Sequence, residues 1–120
     1  MKKFIIIGSI LIILALSVTT YYFYQKNVAE NELDSYISDY GIPSKEIKNV
    51  DFHFSFKTGA SFSKLITMKD DPDNLYAFYY ELKSKTVGFE GDVYGNSVGF
   101  DSPLISKLKY QPSEKVKNME

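Results

Sequence analysis

The chain contains no cysteine and no arginine, and it has a single histidine. Without cysteine there are no disulfide staples, no thiol chemistry and no lipid-modified cysteine anchor. The guanidinium group is what reads phosphates and base edges bidentately. Its absence argues against a nucleic-acid partner. One histidine cannot build a zinc site, whose ligands are His and Cys in sets of three or four. Nor does His53 come with the base-and-orienting-acid pattern of a nucleophilic triad. The spaced glycines Gly88, Gly91, Gly95 and Gly99 lack the lysine and following helix of a phosphate loop.

The longest apolar run is the most informative feature present. Residues 4–24, FIIIGSILIILALSVTTYYFY, carry no charge over twenty-one positions and follow Lys2 and Lys3. About 20 apolar residues are what a helix needs to cross the ~30 Å hydrocarbon layer of a bilayer. The run closes on Tyr21, Tyr22, Phe23 and Tyr24, the aromatic belt expected where a span leaves the membrane. A secretory signal peptide is the competing reading, since Ala15 and Ser17 have the small-x-small spacing of a cleavage site. Lysines before the run, and Lys26 close to Glu30 and Glu32 after it, place the amino terminus in the cytoplasm. The expected location is therefore the cell membrane, single-pass, with the carboxy-terminal domain extracellular. Fourteen lysines stand against fifteen acids in the whole chain, and after Tyr24 the balance is twelve against fifteen. The exported part is mildly acidic.

About 95 residues follow the anchor, enough for one small domain. Val28, Ala29, Leu33, Tyr36, Ile37 and Tyr40 recur at helical spacing, and Gly41 and Pro43 stop the helix. The spacing predicts a helix at about 26–40. Strict alternation then places Val50, Phe52, Phe54 and Phe56 on one face of a strand, with Asp51, His53, Ser55 and Lys57 on the other. A turn at Thr58–Ser61 leads to a return strand from Phe62 to Lys69. Asp70-Asp71-Pro72-Asp73-Asn74 reads as a turn, and Leu75–Leu82 as a third strand with Tyr76, Phe78, Tyr80 and Leu82 inward. A turn at Lys83–Lys85 precedes a fourth strand from Thr86, whose glycines predict a bulged, irregular region. A short helix is expected from Pro103, with Leu104, Ile105 and Leu108 apolar.

The predicted fold is α+β: an N-terminal transmembrane helix, then one amphipathic helix packed on a three- or four-stranded antiparallel β-meander. The phenylalanines of the first strand are expected to meet the helix at Leu33, Tyr36, Ile37 or Tyr40. The organisation predicted is an anchor at 1–24, a small exported domain at 25–110 and a flexible tail at 111–120.

Several residues invite chemistry and fail its geometry. Asp70, Asp71, Asp73 and Asn74, with Glu81, suggest calcium, but Pro72 and Leu75 stand where an EF-hand loop needs a ligand and a glycine. Glu90 and Asp92 read as solvated strand carboxylates. No catalytic, cofactor-binding or metal-ligating residue is assigned, and no cofactor is expected.

The order of motifs resembles a known family. A basic start and an apolar anchor ending in tyrosines lead to Tyr36-Ile-x-x-Tyr40-Gly41-Ile42-Pro43 and Lys45-Glu46-Ile47. Met68-Lys69-Asp70-Asp71-Pro72 and Tyr76-x-Phe78-x-Tyr80 follow. This pattern is similar to the small Gram-positive bacterial family catalogued as domain of unknown function 3139, up to about residue 82. The resemblance implies a membrane-tethered exported domain and carries over no catalytic residue. Two functions remain: a tethered extracytoplasmic binding or interaction module with a protein partner at the cell surface, or a small secreted inhibitor or enzyme released by cleavage near Ser17. The membrane, through residues 4–24, is the other expected partner.

Overall fold

The computed structural model describes residues 1–56 and 60–118. One helix, α1, runs without a break over Lys2–Tyr40. The polar residues Gln25, Lys26 and Asn27 interrupt the apolar run, but none of them breaks a helix. The helix expected at 26–40 is therefore the second half of a longer rod. It ends on Gly41, which takes the left-handed conformation at φ 103°. The Gly41 amide donates to the Ser38 carbonyl and the Ile42 amide to that of Ile37, the paired bonds of a Schellman stop.

After a 3₁₀ turn at Ser44–Glu46, five antiparallel strands follow in spatial order identical to chain order. They are β1 (Ile47–Ser55), β2 (Ser61–Met68), β3 (Asp71–Glu81), β4 (Thr86–Val93) and β5 (Asn96–Val98). This is an α+β fold with one strand more than the sequence pattern indicates. The expected turn at 58–61 lies partly outside the described residues. The acidic stretch is mostly strand: only Lys69 and Asp70 turn the chain, and β3 already begins at Asp71. Pro72, which has no amide to donate, sits where the β2–β3 register breaks between Ile66 and Met68, a position that tolerates proline. The glycine-rich β4 is also regular, pairing residue for residue with β3 from Glu81↔Thr86 to Asn74↔Val93.

The buried stripe of α1 is Ala29, Leu33, Tyr36, Ile37 and Tyr40. It lies across the middle of the sheet. The Tyr40 ring is 5.4 Å from Phe78 and 4.8 Å from Phe89, and Tyr36 is 6.0 Å from Phe78. These are edge-on or tilted pairs, the arrangements that the ring quadrupole favours. The first strand behaves differently from expectation. Phe52 and Phe54 are half-buried, but Val50 and Phe56 are exposed. The helix meets this strand with its earlier residues, through Tyr22 beside Phe54 and Lys26 over Phe52. The reason is position: β1 is an edge strand, so the buried stripe of α1 passes over β3 and β4 instead.

The segment beyond β5 folds back over the sheet. Ser102 caps a 3₁₀ helix at Pro103–Lys107. Instead of a solvated tail, Ser113 caps the short helix α2 (Glu114–Lys117), and Val116 is fully buried. Ser113 also donates to the Asp39 carbonyl, while Lys115 pairs with the Asp39 carboxylate at 3.1 Å. The C-terminal segment is thereby fastened to the end of α1.

Candidate functional site

Three regions carry the chemistry that the sequence brings into question. The first is the exposed half of α1. Every large apolar side chain from Phe4 to Val18 is at least half exposed, and the helix is long and apolar enough to cross a membrane. A soluble domain does not leave an apolar cylinder of this size uncovered. The helix is a candidate span or signal sequence.

The second is the acidic segment after β2. Asp71 accepts hydrogen bonds from the Tyr76 hydroxyl (2.6 Å), the Asn74 amide (2.8 Å) and the Lys109 backbone N–H (3.2 Å). Asp70 takes the Lys109 ammonium at 2.6 Å and the Tyr110 hydroxyl at 2.6 Å. The Tyr110 amide donates to the Tyr76 hydroxyl at 3.0 Å, and the Tyr40 hydroxyl donates to the Tyr110 carbonyl at 2.7 Å. The carboxylates thus clasp residues 109–110 to the sheet and to α1. Asp73 is exposed and joins none of these bonds, and Glu81 lies at the far end of β3. Sequence reasoning missed the clasp because residues 109 and 110 lie 34 to 70 residues from the side chains that hold them.

The clasp makes folding pH-dependent. The hydrogen bonds from Lys109 and Tyr110 hold the Asp70 carboxyl below its ordinary range. The same bond to Asp70, aided by desolvation, pushes the Tyr110 hydroxyl up to about 12. Burial, then the bond to Asp71, raises the Tyr76 hydroxyl too. A depressed carboxyl stabilises the fold above its unfolded pKa, and that stabilisation is lost as pH falls through the folded value. A raised phenol stabilises it below its unfolded value of 10.0, and the contribution disappears as pH rises through about 12. Stability should therefore fall at both extremes, and Asp70→Asn should flatten both limbs. Unfolding midpoints of the full chain in detergent, measured from pH 2 to about 12 across these carboxyl and phenol ranges, check this. An unchanged acid limb in Asp70→Asn would show that the pairing contributes nothing.

The third region is the outer face of the sheet, away from α1. His53, Ser63, Tyr79 and Gly88 form one cross-strand row. Asp51, Leu65, Ala77 and Glu90 form the next, and Ser55, Ser61, Glu81 and Thr86 another. A shallow depression of about 410 Å³ runs over these rows, bounded by His53, Ser63, Leu65, Tyr79, Glu81 and Glu90 among others. Gly88 has a local purpose: a Cβ there would overlap the Tyr79 ring, which lies flat across the strand, the glycine–aromatic pairing that stabilises open sheets. On the opposite face Gly91 leaves room for Leu108, whose methyl would stand 3.1 Å from a Cβ.

This face gathers Asp51, Glu81, Glu90 and Asp92, and its regular ladder positions hold no lysine. The carboxylates are spread along the strands, and among the described residues no group of three or more His, Asp or Glu side chains could hold a metal. Asp51, His53 and Ser63 are neighbours, but His53 Nδ1 is 3.8 Å from Asp51 Oδ2, beyond hydrogen-bond range. The assembled base of a triad is not formed.

A Bacillus thuringiensis protein named "Uncharacterized 13.4 kDa protein" is 27% identical over 105 residues, spanning 79% of this chain and 90% of that protein. No solved structure matches. The family model described as "Protein of unknown function (DUF3139)" matches residues 1–78, from α1 to the middle of β3, and the chain belongs to that family.

Proposed function

We propose that the chain is a single-pass membrane protein whose α+β domain lies outside the cell and acts as a binding module, not as an enzyme. Residues 4–24 span the bilayer, with Lys2 and Lys3 on the cytoplasmic side. The observation that carries this reading is the continuity of α1. Its exposed apolar half and its buried half are one helix, so the candidate span is built into the domain's core element.

The outer sheet face supplies the binding surface. Its carboxylates stand among regular ladder positions that hold no lysine, which favours a basic protein partner at the cell surface through charge complementarity. The half-exposed Tyr79 ring supplies an aromatic contact of the kind that anchors interfaces. Neither a metal nor a cofactor is required for this. The small-x-small pair Ala15 and Ser17 supports a second reading, in which cleavage near Ser17 releases the domain. Tyr22 would remain on such a product, still packed on Phe54 and Phe62.

Fractionation and protease treatment of wall-stripped cells test the reading together. The intact chain should stay with membranes after alkaline extraction, and added protease should degrade the domain. Protection of the domain would overturn the orientation. A mature chain lacking residues 1–17 would replace the anchor with the released form.

A further inference from the structure

The sheet does not stand clear of the apolar helix. Strand β1 runs antiparallel to α1, starting near the helix end and returning toward the candidate span. Its last rings reach Tyr22: the Tyr22 and Phe54 centroids are 6.2 Å apart, and Phe54 meets Phe56 edge-on at 4.6 Å. Phe23 extends the line on the other side, 5.7 Å from Tyr22. Four rings therefore run from the helix to the end of β1.

The level of this line follows from helix geometry. At 1.5 Å per residue, residues 4–24 cover about 30 Å, so Tyr22 and Phe23 fall at the boundary between hydrocarbon and headgroups. Phe54 and Phe56 fall with them. Phe56 is 76% exposed, and Phe23 is 54% exposed. A phenylalanine at a hairpin end has no hydrogen bond to offer water, and water is a poor environment for so much apolar surface. The opposite end of the sheet differs: β4 leads away from the span to Tyr94, whose exposed ring carries a hydroxyl.

We infer that the end of β1 is a second membrane contact, with Phe54 and Phe56 seated in the headgroup–acyl boundary of the bilayer that holds residues 4–24. The inference rests on the membrane-anchor reading above. The domain then lies against the membrane by one edge of its sheet, leaving the outer face and the Tyr94 end toward water. The contact is apolar, so zwitterionic lipid suffices for it.

The chain has no tryptophan, so a single introduced indole reports its own surroundings. Full-length Phe56→Trp, Tyr94→Trp and Leu14→Trp variants are reconstituted into phosphatidylcholine vesicles containing brominated lipids. Leu14→Trp should lose most of its emission when bromine lies deep in the acyl chains. Phe56→Trp should be quenched by bromine near the glycerol end and emit further to the blue than Tyr94→Trp, which should be unquenched. Equal quenching at positions 56 and 94 alongside strong quenching at 14 overturns the hairpin contact and leaves the anchor standing. Absence of quenching at 14 overturns the anchor and the contact with it. Because Phe56 is exposed, its replacement should leave the circular dichroism of the domain unchanged.

Discussion

Replacing Phe78 by alanine should unfold the domain. The ring is fully buried and touches Tyr36, Tyr40 and Phe89, with centroids 6.0, 5.4 and 5.2 Å away. Removing a phenylalanine from such a site costs about 3–5 kcal/mol, the lost transfer energy plus the cavity left behind. Domains have only about 5–15 kcal/mol in total, and one this small stands near the lower end. Urea unfolding of the full chain in detergent measures the loss through the sheet signal in circular dichroism. His53→Ala is the contrast, on the outer face and without a buried contact, with an expected change within about 0.5 kcal/mol. Equal, small changes at both positions would show that α1 is not docked on β3 and β4.

Asp71→Ala should loosen the C-terminal segment with a smaller effect on the sheet. Three hydrogen bonds are lost at once, those from the Tyr76 hydroxyl, the Lys109 N–H and the Asn74 amide, of which only the last keeps another acceptor, the Lys107 carbonyl. Asn74 and Tyr76 are buried, and Asn74 Oδ1 already has no partner among the described residues. Hydrogen bonds to a charged acceptor contribute about 1.5–3 kcal/mol each, and stranded buried donors add their desolvation cost. Some donors will find water, so a net loss of about 2–4 kcal/mol is expected. Hydrogen exchange separates this from general destabilisation. The amides of Tyr110 and Val116 should lose protection before those of Phe78 and Phe89. Simultaneous loss at all four would mean that the clasp is part of the global folding unit.

Local pattern explains why some of this architecture is readable from residues alone. The alternation in Tyr76, Phe78 and Tyr80 and the Gly41–Pro43 stop are decided by neighbours in sequence, and the structure places them as the pattern predicts. The inward face of β1 is only half right, because alternation reveals which residues share a face and not whether the strand lies at an edge. Phe56 follows the pattern and still projects beyond the core. The β3 start at Asp71 is hidden because acidic residues and proline share the composition of a turn. The docking of α2 is hidden for another reason: Val116 is one apolar residue among polar ones and has no period. The Asp70–Tyr110 pairing depends on distance in space, which composition does not encode. The outer face needs register, since Tyr79 over Gly88 becomes visible only when β3 and β4 are aligned.

With residues 4–24 in a bilayer, the unbroken α1 becomes a pointer. A rod of 39 residues is about 58 Å long at 1.5 Å per residue, and the same rod carries both the lipid-facing residues and the sheet. Spans answer a change in bilayer thickness by tilting. A tilt of about 10° would carry the far end of a rod this length about 10 Å sideways, swinging the acidic face with it. Membrane thickness would then set the direction in which the sheet's outer face points, with no hinge to absorb the difference.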